Sequence, residues 1–494
     1  MQFINTRKND EILTTSQAIL KGLSDNGGLF VPQSIPHLNV DFSKISNLNY
    51  SEHAYSILSP FFNEFTEDEL KQAISKAYSH GQNGNFSIKE IAHLTQFGKL
   101  SFLELYHGNT LSFKDMALSL LPHLIEISSQ KESDIKHKII LTATSGDTGK
   151  AALEAFKNVK NTTVIVFYPE NGVSPLQKQT MVTQEGNNVY VFGVKGNFDD
   201  AQRGVKQLLS SKDLKIILQR KNATFSSANS INIGRLLPQI VYYFYAYSNL
   251  IKNGLKNGQN VNFVVPTGNF GNILSGFYAK QMGLPINKLI CATNKNNILY
   301  DFFTTGTFNT NRNFFTTISP AMDINLPSNF ERLLFNELHS DDSLNNFLKD
   351  LTLHGKFSLD KKFNDFVSYH ATEEETRLSI QNVYKKYNYI VDPHTAVGYH
   401  AYESYIRDFK DDTSVVIIST ASPYKFTKTV MNVLKNDTSE LDDFSQIERL
   451  REIKNDENPP LQIVNIQTKK VLHNKTITTN CMEKEVISII NSIS

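Results

Sequence analysis

From His137 onward the apolar positions change their period repeatedly. Short apolar runs, KIILTAT (138–144), TTVIVFYP (162–169), VYVFGVKG (189–196) and VNFVVP (261–266), are rich in β-branched residues and read as strands. Between them lie GKAALEAFKNV (149–159), SPLQKQTMVTQEG (174–186), DDAQRGVKQLLSS (199–211) and ILSGFYAKQMG (273–283), whose apolar residues return at helical spacing. Such alternation predicts parallel-sheet α/β units. KLICAT (288–293) and SVVIISTA (414–421) add later strands, and SINIGRLLPQIVYYFYAYSNLIKNG (230–254) predicts a helix. Pro238 lacks an N–H and should end a turn or kink that helix. Its stripe YYFYAY, Tyr242 to Tyr247, reads as core or subunit interface.

The first part of the chain has another rhythm. TSQAILKGL, SEHAYSILSPFF and TEDELKQAISKAYSHG carry helical spacing with Ser or Thr near their starts, so residues 1–95 read as a mostly helical domain. Residues 339–365 and 436–460, rich in Asp, Asn, Ser and Lys, read as solvated surface helices or loops. No fixed-period repeat is visible. A chain of 494 residues is longer than one core usually serves, which predicts two or three domains.

Composition narrows the class. A hydrophobic content of 40% with 11% aromatics can build a sizeable core, and a formal net charge of +1 offers no basic field for nucleic acid. Small-molecule chemistry or protein contacts remain. Cys291 and Cys481 have neither metal-ligand nor redox spacing, and His107, His394 and His400 lack metal spacing with each other or with cysteine, so no metal is assigned. No apolar run approaches a membrane span, and MQFINTRKNDE lacks the apolar stretch of a signal peptide. A cytoplasmic, reducing setting with no membrane contact is the expectation.

Three turn-rich segments carry the candidate chemistry: HGNTLSFKD (His107 to Asp115), TATSGDTG (Thr142 to Gly149) and VVPTGNFGN (Val264 to Asn272). A lysine that condenses with an aldehyde must be available as a neutral amine, so Lys114 needs desolvation or a nearby cation; Leu111 and Phe113 could supply apolar walls. Asp115 would oppose this if it faced Lys114, but adjacent residues on a helix point apart, and it is expected to cap or pair elsewhere. Gly268 and Gly271 allow unusual dihedrals and close approach of N–H groups to an anion at a helix N-terminus, although a generic turn has the same letters. Nucleotide loops of the GxxxxGK[ST] or GxGxxG kind are not matched. The Thr144, Ser145 and Thr148 hydroxyls suit a carboxylate, or simply cap the helix that follows.

Together these segments resemble the threonine synthases, pyridoxal-phosphate enzymes of fold type II. HGNTLSFKD is similar to that family's lysine motif, TATSGDTG and PTGNFGN match nearly letter for letter, and SANSINIGRLLPQ (Ser227 to Gln239) resembles a fourth block. ISPAMDINLPSNFERLL (Ile318 to Leu334), VDPHTAVGYHA (Val391 to Ala401) and STASPYKF (Ser419 to Phe426) follow in the family order. Phe3 to Pro32 resembles the N-terminal domain of the longer form, which would leave no room for an organellar leader. Residues 340–380 and 436–494 are the least recognisable.

The resemblance implies two parallel-rich α/β domains plus the N-terminal one: 96–135 with 225–494 as the larger, cofactor-binding domain, and 136–224 as a smaller domain closing over the substrate. It implies pyridoxal 5'-phosphate bonded to Lys114, which also moves protons among the substrate's carbons. Gly268, Asn269, Phe270, Gly271 and Asn272 would cradle the cofactor phosphate, Asp147 would lie near its 3-hydroxyl, and Thr420 would face its pyridine nitrogen. The implied substrate is O-phospho-L-homoserine, with Thr144, Ser145 and Thr148 at its carboxylate. Its own phosphate calls for a cation, Arg235 first and Lys178 second, with Ser227, Asn229 and Asn232 weaker candidates. A monomer or homodimer making L-threonine and phosphate is expected. The alternatives are a threonine synthase-like phospholyase giving a 2-oxo acid and an inactive cofactor-binding homologue. Asn109, Lys150, Ser422 and Tyr424 depart from the common motifs and bear on rate and specificity.

Overall fold

The strands predicted from apolar runs assemble into two separate sheets. The computed structural model describes residues 1–38, 41–81, 83–144, 146–435, 441–454, 459–464 and 466–493. One sheet has six strands in the order Phe366–His370, Ile286–Thr293, Val261–Pro266, Ser414–Ser419, Leu100–Glu104 and His93–Phe97. All its pairings are parallel except the last, where His93–Phe97 runs antiparallel at the edge. The other has five parallel strands in the order Thr476–Thr478, Val189–Lys195, Thr162–Pro169, His137–Ala143 and Ala223–Ser226. Burial on both faces explains the nearly unbroken apolar sequences of the inner strands Thr162–Pro169 and Val261–Pro266.

Helices fall where the spacing put them: Asp147–Ala155, Pro175–Val182, Phe198–Ser210 and Gly271–Gln281. Pro238 does interrupt its helix, and a 3-10 turn over Leu237–Gln239 precedes Ile240–Lys252. The aromatic stripe on that helix is core, with Tyr242, Tyr243, Phe244 and Tyr247 fully buried.

Three expectations need correction. The N-terminal domain is less helical than its pattern: Gln2–Asn5, Lys8–Thr14 and Phe30–Pro32 form an antiparallel sheet beside the helices Thr15–Lys21, Tyr50–Leu58 and Glu67–Ala77. Lys8–Thr14 is exposed along most of its length, so its polar sequence hides the strand. His93–Phe97, assigned to the N-terminal domain, is instead an edge of the six-stranded sheet. The end of the chain leaves the larger domain: Thr476–Thr478 pairs with Gly193–Lys195, and Met482, Val486, Ile489 and Ile490 of the last helix join the apolar core of the smaller one.

Candidate active site

The candidate residues gather at the carboxyl ends of both sheets, the usual site of binding crevices in α/β folds. Lys114 follows strand Leu100–Glu104, Asp147 follows His137–Ala143, the loop Thr267–Phe270 follows Val261–Pro266, and Thr420 follows Ser414–Ser419. Backbone hydrogen bonds stitch the lysine loop to the last of these: Phe113 N–H donates to the Thr420 carbonyl at 2.8 Å and Ser422 N–H to that of Leu111 at 3.0 Å. Thr420, itself buried, is thereby fixed beside Lys114.

Lys114 is buried with its Nζ 3.5 Å from Asp147 Oδ2 and 4.9 Å from the centre of the Phe113 ring. Burial is the main force lowering its pKa; Asp147 opposes it, while Lys425 and Arg235 reinforce it. Asp115 turns away, as its neighbour's chemistry required. It accepts from Thr110 N–H at 2.8 Å and Thr110 Oγ1 at 2.6 Å, and burial raises its pKa to about 6.

Asp147 has a partner that the sequence reading missed. Lys425 Nζ lies 2.6 Å from Asp147 Oδ1, closer than Lys114, and also donates to the Thr110 carbonyl at 2.9 Å. Burial works against the charge on Asp147, but Lys425 and then Lys114 outweigh it and hold the carboxyl well below its usual range. Lys425 stands inside STASPYKF, and nothing local in that motif distinguishes it from a surface lysine. Removing it should leave Asp147 to pair fully with Lys114 and raise the lysine's proton affinity. Lys425→Met is therefore expected to slow borohydride trapping of the cofactor on Lys114 at neutral pH and to move the half-maximal pH upward. An unshifted profile would mean that Lys425 does not govern the state of Lys114.

The glycine loop corrects another expectation. Neither Gly268 nor Gly271 has a left-handed backbone; Phe270 does, at φ 66°, with its ring packed against Phe303, Phe330 and Phe366. What Gly268 supplies is room, because a Cβ there would lie 2.6 Å from the Ala321 carbonyl oxygen, whereas at Gly271 the nearest atom is 3.4 Å away. Asn269 is exposed, and its carbonyl accepts from Asn329 N and Nδ2, both at 3.1 Å. Asn272 Oδ1 accepts from the hydroxyls of Tyr242 at 2.7 Å and Tyr243 at 2.8 Å, so two members of the aromatic stripe orient it. Its Nδ2 is buried with no partner.

Arg235 is a further buried donor without a full set of partners. Its Nη1 donates to the Ala228 carbonyl at 2.7 Å, its Nε is buried without a partner, and no carboxylate among the described residues pairs with it. Burial pulls its pKa down to about 10, which leaves it a cation at neutral pH. A buried cation lacking a counter-ion is costly unless an anion joins it.

Other candidates are engaged elsewhere. Thr144 Oγ1 accepts from the N–H groups of Gly146 at 2.9 Å and Gly149 at 3.0 Å, the capping alternative. Thr148 is half-buried in the first turn of that helix, and Ser145 lies outside the described residues. Asn232 spends both amide hydrogens on the carbonyls of Ile19 and Ser227, and its Oδ1 accepts from Gly234 N–H, so it acts as a helix cap with no hydrogen left for a ligand. Lys178 is half-buried on helix Pro175–Val182, while its neighbours Gln177 and Thr180 face a cavity of ≈180 Å³ beside Asp147 and Lys425. Asn109 and Lys150, two of the motif departures, line that cavity, as do Ile463 and Ile466 from the least recognisable part of the chain. His107 pairs with Glu104 at 2.8 Å and His394 with Asp392 at 2.6 Å. His394, also missed, accepts from Ala321 N–H at 3.2 Å and so holds the segment that abuts Gly268.

Comparison with known proteins gives the family. Residues 2–78 match a family model described as threonine synthase N terminus, 89–344 one described as pyridoxal-phosphate dependent enzyme, and 395–465 one described as threonine synthase, C-terminal. Threonine synthase of Saccharomyces cerevisiae is 36% identical over 457 residues, covering 85% of this chain and 87% of the relative. The chain belongs to the threonine synthase family. The family's fold extends over its whole length: a pyridoxal-phosphate-bound threonine synthase from Brucella melitensis superposes with a TM-score of 0.87 at 32% identity, covering 100% of this chain and 99% of the other. The yeast threonine synthase structure gives a TM-score of 0.87 at 33% identity, with 99% of each chain covered.

Pyridoxal phosphate is the cofactor of this family fold, and the residues present fit it. The unpartnered Asn272 amide, the crowded glycine at 268 and a helix N-terminus suit its phosphate, and a buried, charge-depleted lysine suits its aldehyde. Gly268→Val should then force the cradle away from Ala321 and cost cofactor affinity by about 1 to 3 kcal/mol, as overpacking does. Gly271→Ala should cost much less. Equilibrium dialysis on both folded variants checks the ranking, and equal losses would remove the special role of Gly268.

Proposed function

We propose that this chain converts O-phospho-L-homoserine and water into L-threonine and phosphate. The observation that carries the reading is Arg235, a buried cation with no carboxylate partner among the described residues, close enough to Lys114 to lower its pKa and outside the glycine loop in sequence. One anion site suits the cofactor and a second suits a substrate that brings its own phosphate. Bound pyridoxal phosphate supplies a sink for negative charge developing next to the substrate's amino group.

The protein's part is positioning and proton movement. Gly268 to Asn272 would hold the cofactor phosphate, Asp147, kept ionised by Lys425, would receive the 3-hydroxyl, and Thr420 would offer a neutral hydroxyl to the ring nitrogen. Lys114 would hold the cofactor's aldehyde and would move protons among the substrate's Cα, Cβ and Cγ, the last gaining the hydrogen that makes it a methyl group. Arg235 binds the phosphate that leaves Cγ, and water places its hydroxyl on Cβ. Thr148 and the N–H groups of the same turn face the substrate carboxylate. The small domain shuts the crevice, and the work is done by one chain or a homodimer. We place the enzyme in the cytoplasm, where two unbridged cysteines are at home.

Incubating the holoenzyme with O-phospho-L-homoserine tests the reading. Phosphate and threonine should appear in equal amounts. Phosphate with a 2-oxo acid would make it a phospholyase, and neither product would leave a cofactor-binding homologue.

A further inference from the structure

We propose that Arg332 is a positioning residue for the cofactor phosphate, through which the N-terminal domain holds the glycine loop in shape; the inference rests on the reading of Gly268–Asn272 as the phosphate cradle. Arg332 is fully buried, in the first turn of helix Phe330–Leu338. No carboxylate among the described residues pairs with it, and it is shared among three parts of the chain. Its Nε donates to the Phe30 carbonyl in the N-terminal sheet at 2.9 Å, and its Nη2 to the Ile231 carbonyl, in the segment that carries Arg235, at 2.6 Å. Its Nη1 donates to Asn329 Oδ1.

Asn329 passes the constraint on. With its Oδ1 taken by Arg332, its Nδ2 is turned to the Asn269 carbonyl at 3.1 Å and to Ser230 Oγ at 3.2 Å, while its own N–H also donates to the Asn269 carbonyl at 3.1 Å. The carbonyl of Asn269 is thus fixed from one side, and with it the peptide plane that it shares with the Phe270 N–H. Phe270 keeps a left-handed backbone in the middle of this loop, a conformation that an aromatic residue holds only when its surroundings impose it. Burying a guanidinium adds little to stability. Its use here is geometric: five donors in a rigid plane tie two loops to a strand. The neighbouring Glu331 makes a separate, partly exposed tie to the same domain, pairing with Arg7 at 2.7 Å.

The test compares pyridoxal phosphate with pyridoxal, which offers the same aldehyde to Lys114 but no phosphate. Apoenzyme of the wild type, Arg332→Lys, Asn329→Ala and Arg7→Ala is titrated with each, with melting curves run alongside. Asn329→Ala keeps the buried arginine and so guards against a misfolded Arg332 variant. The expected result is a loss of pyridoxal phosphate affinity of about tenfold or more in Arg332→Lys and Asn329→Ala, with pyridoxal affinity nearly unchanged and Arg7→Ala like the wild type. Equal losses for both ligands, no loss in Asn329→Ala, or an equal loss in Arg7→Ala would overturn the proposal. A wild type that binds pyridoxal phosphate no better than pyridoxal would instead overturn the cradle itself.

Discussion

Lys114→Ala should still fold and bind pyridoxal phosphate, yet lose the borohydride-reducible link and nearly all turnover. Folding should survive because Asp147, the charge facing Lys114, keeps its closer partner Lys425 at 2.6 Å. Binding should survive because the Asn272 amide, the Gly268 loop and the helix N-terminus do not depend on the lysine. Turnover should not, since loss of proton transfer alone costs on the order of 10²- to 10⁴-fold, before loss of the covalent anchor is counted. Peptide mapping after reduction of the wild type checks the assignment. Label on Lys425, which shares the same carboxylate, would move the role there.

Arg235→Ala should weaken O-phospho-L-homoserine by roughly thirty-fold or more, the equivalent of about 2 to 3 kcal/mol for a charge-assisted contact to phosphate. L-Homoserine, which lacks the phosphate, should be affected far less. The contrast is needed because the variant also strands the Ala228 carbonyl, to which Arg235 donates. That structural cost falls on both ligands alike. Equal losses would therefore assign Arg235 to the fold and bring Lys178 forward as the phosphate partner.

Strands buried on both faces were legible in the sequence because burial leaves its own signature, as in Thr162–Pro169 and Val261–Pro266. The strand Lys8–Thr14 was not, since an exposed strand keeps polar residues along its length. Leu100–Glu104 was passed over although it is wholly buried; it is short and runs straight into the lysine motif. At the site, Lys114, Asp147 and Arg235 could be picked out because they sit in distinctive segments, and the orientation of Asp115 followed from helix geometry. Lys425, His394 and Arg332 could not. Their roles depend on partners 278, 73 and 302 positions away in the chain, at Asp147, Ala321 and Phe30, and periodicity carries no record of such distances. Gly271 was over-read for a related reason: a glycine announces freedom, but here Phe270 adopts the unusual backbone and Gly268 meets the steric limit.

The placement of strand Thr476–Thr478 at the edge of the five-stranded sheet has a mechanical consequence. The polypeptide enters the smaller domain ahead of His137, leaves after Ser226 and comes back at Thr476, so three separate crossings join the two bodies. A domain hung on one crossing can swing and twist freely. With three, torsion about any single linker strains the other two. Residues 476–493 thus tie the sheet that leads into Asp147 to the rest of the chain a third time.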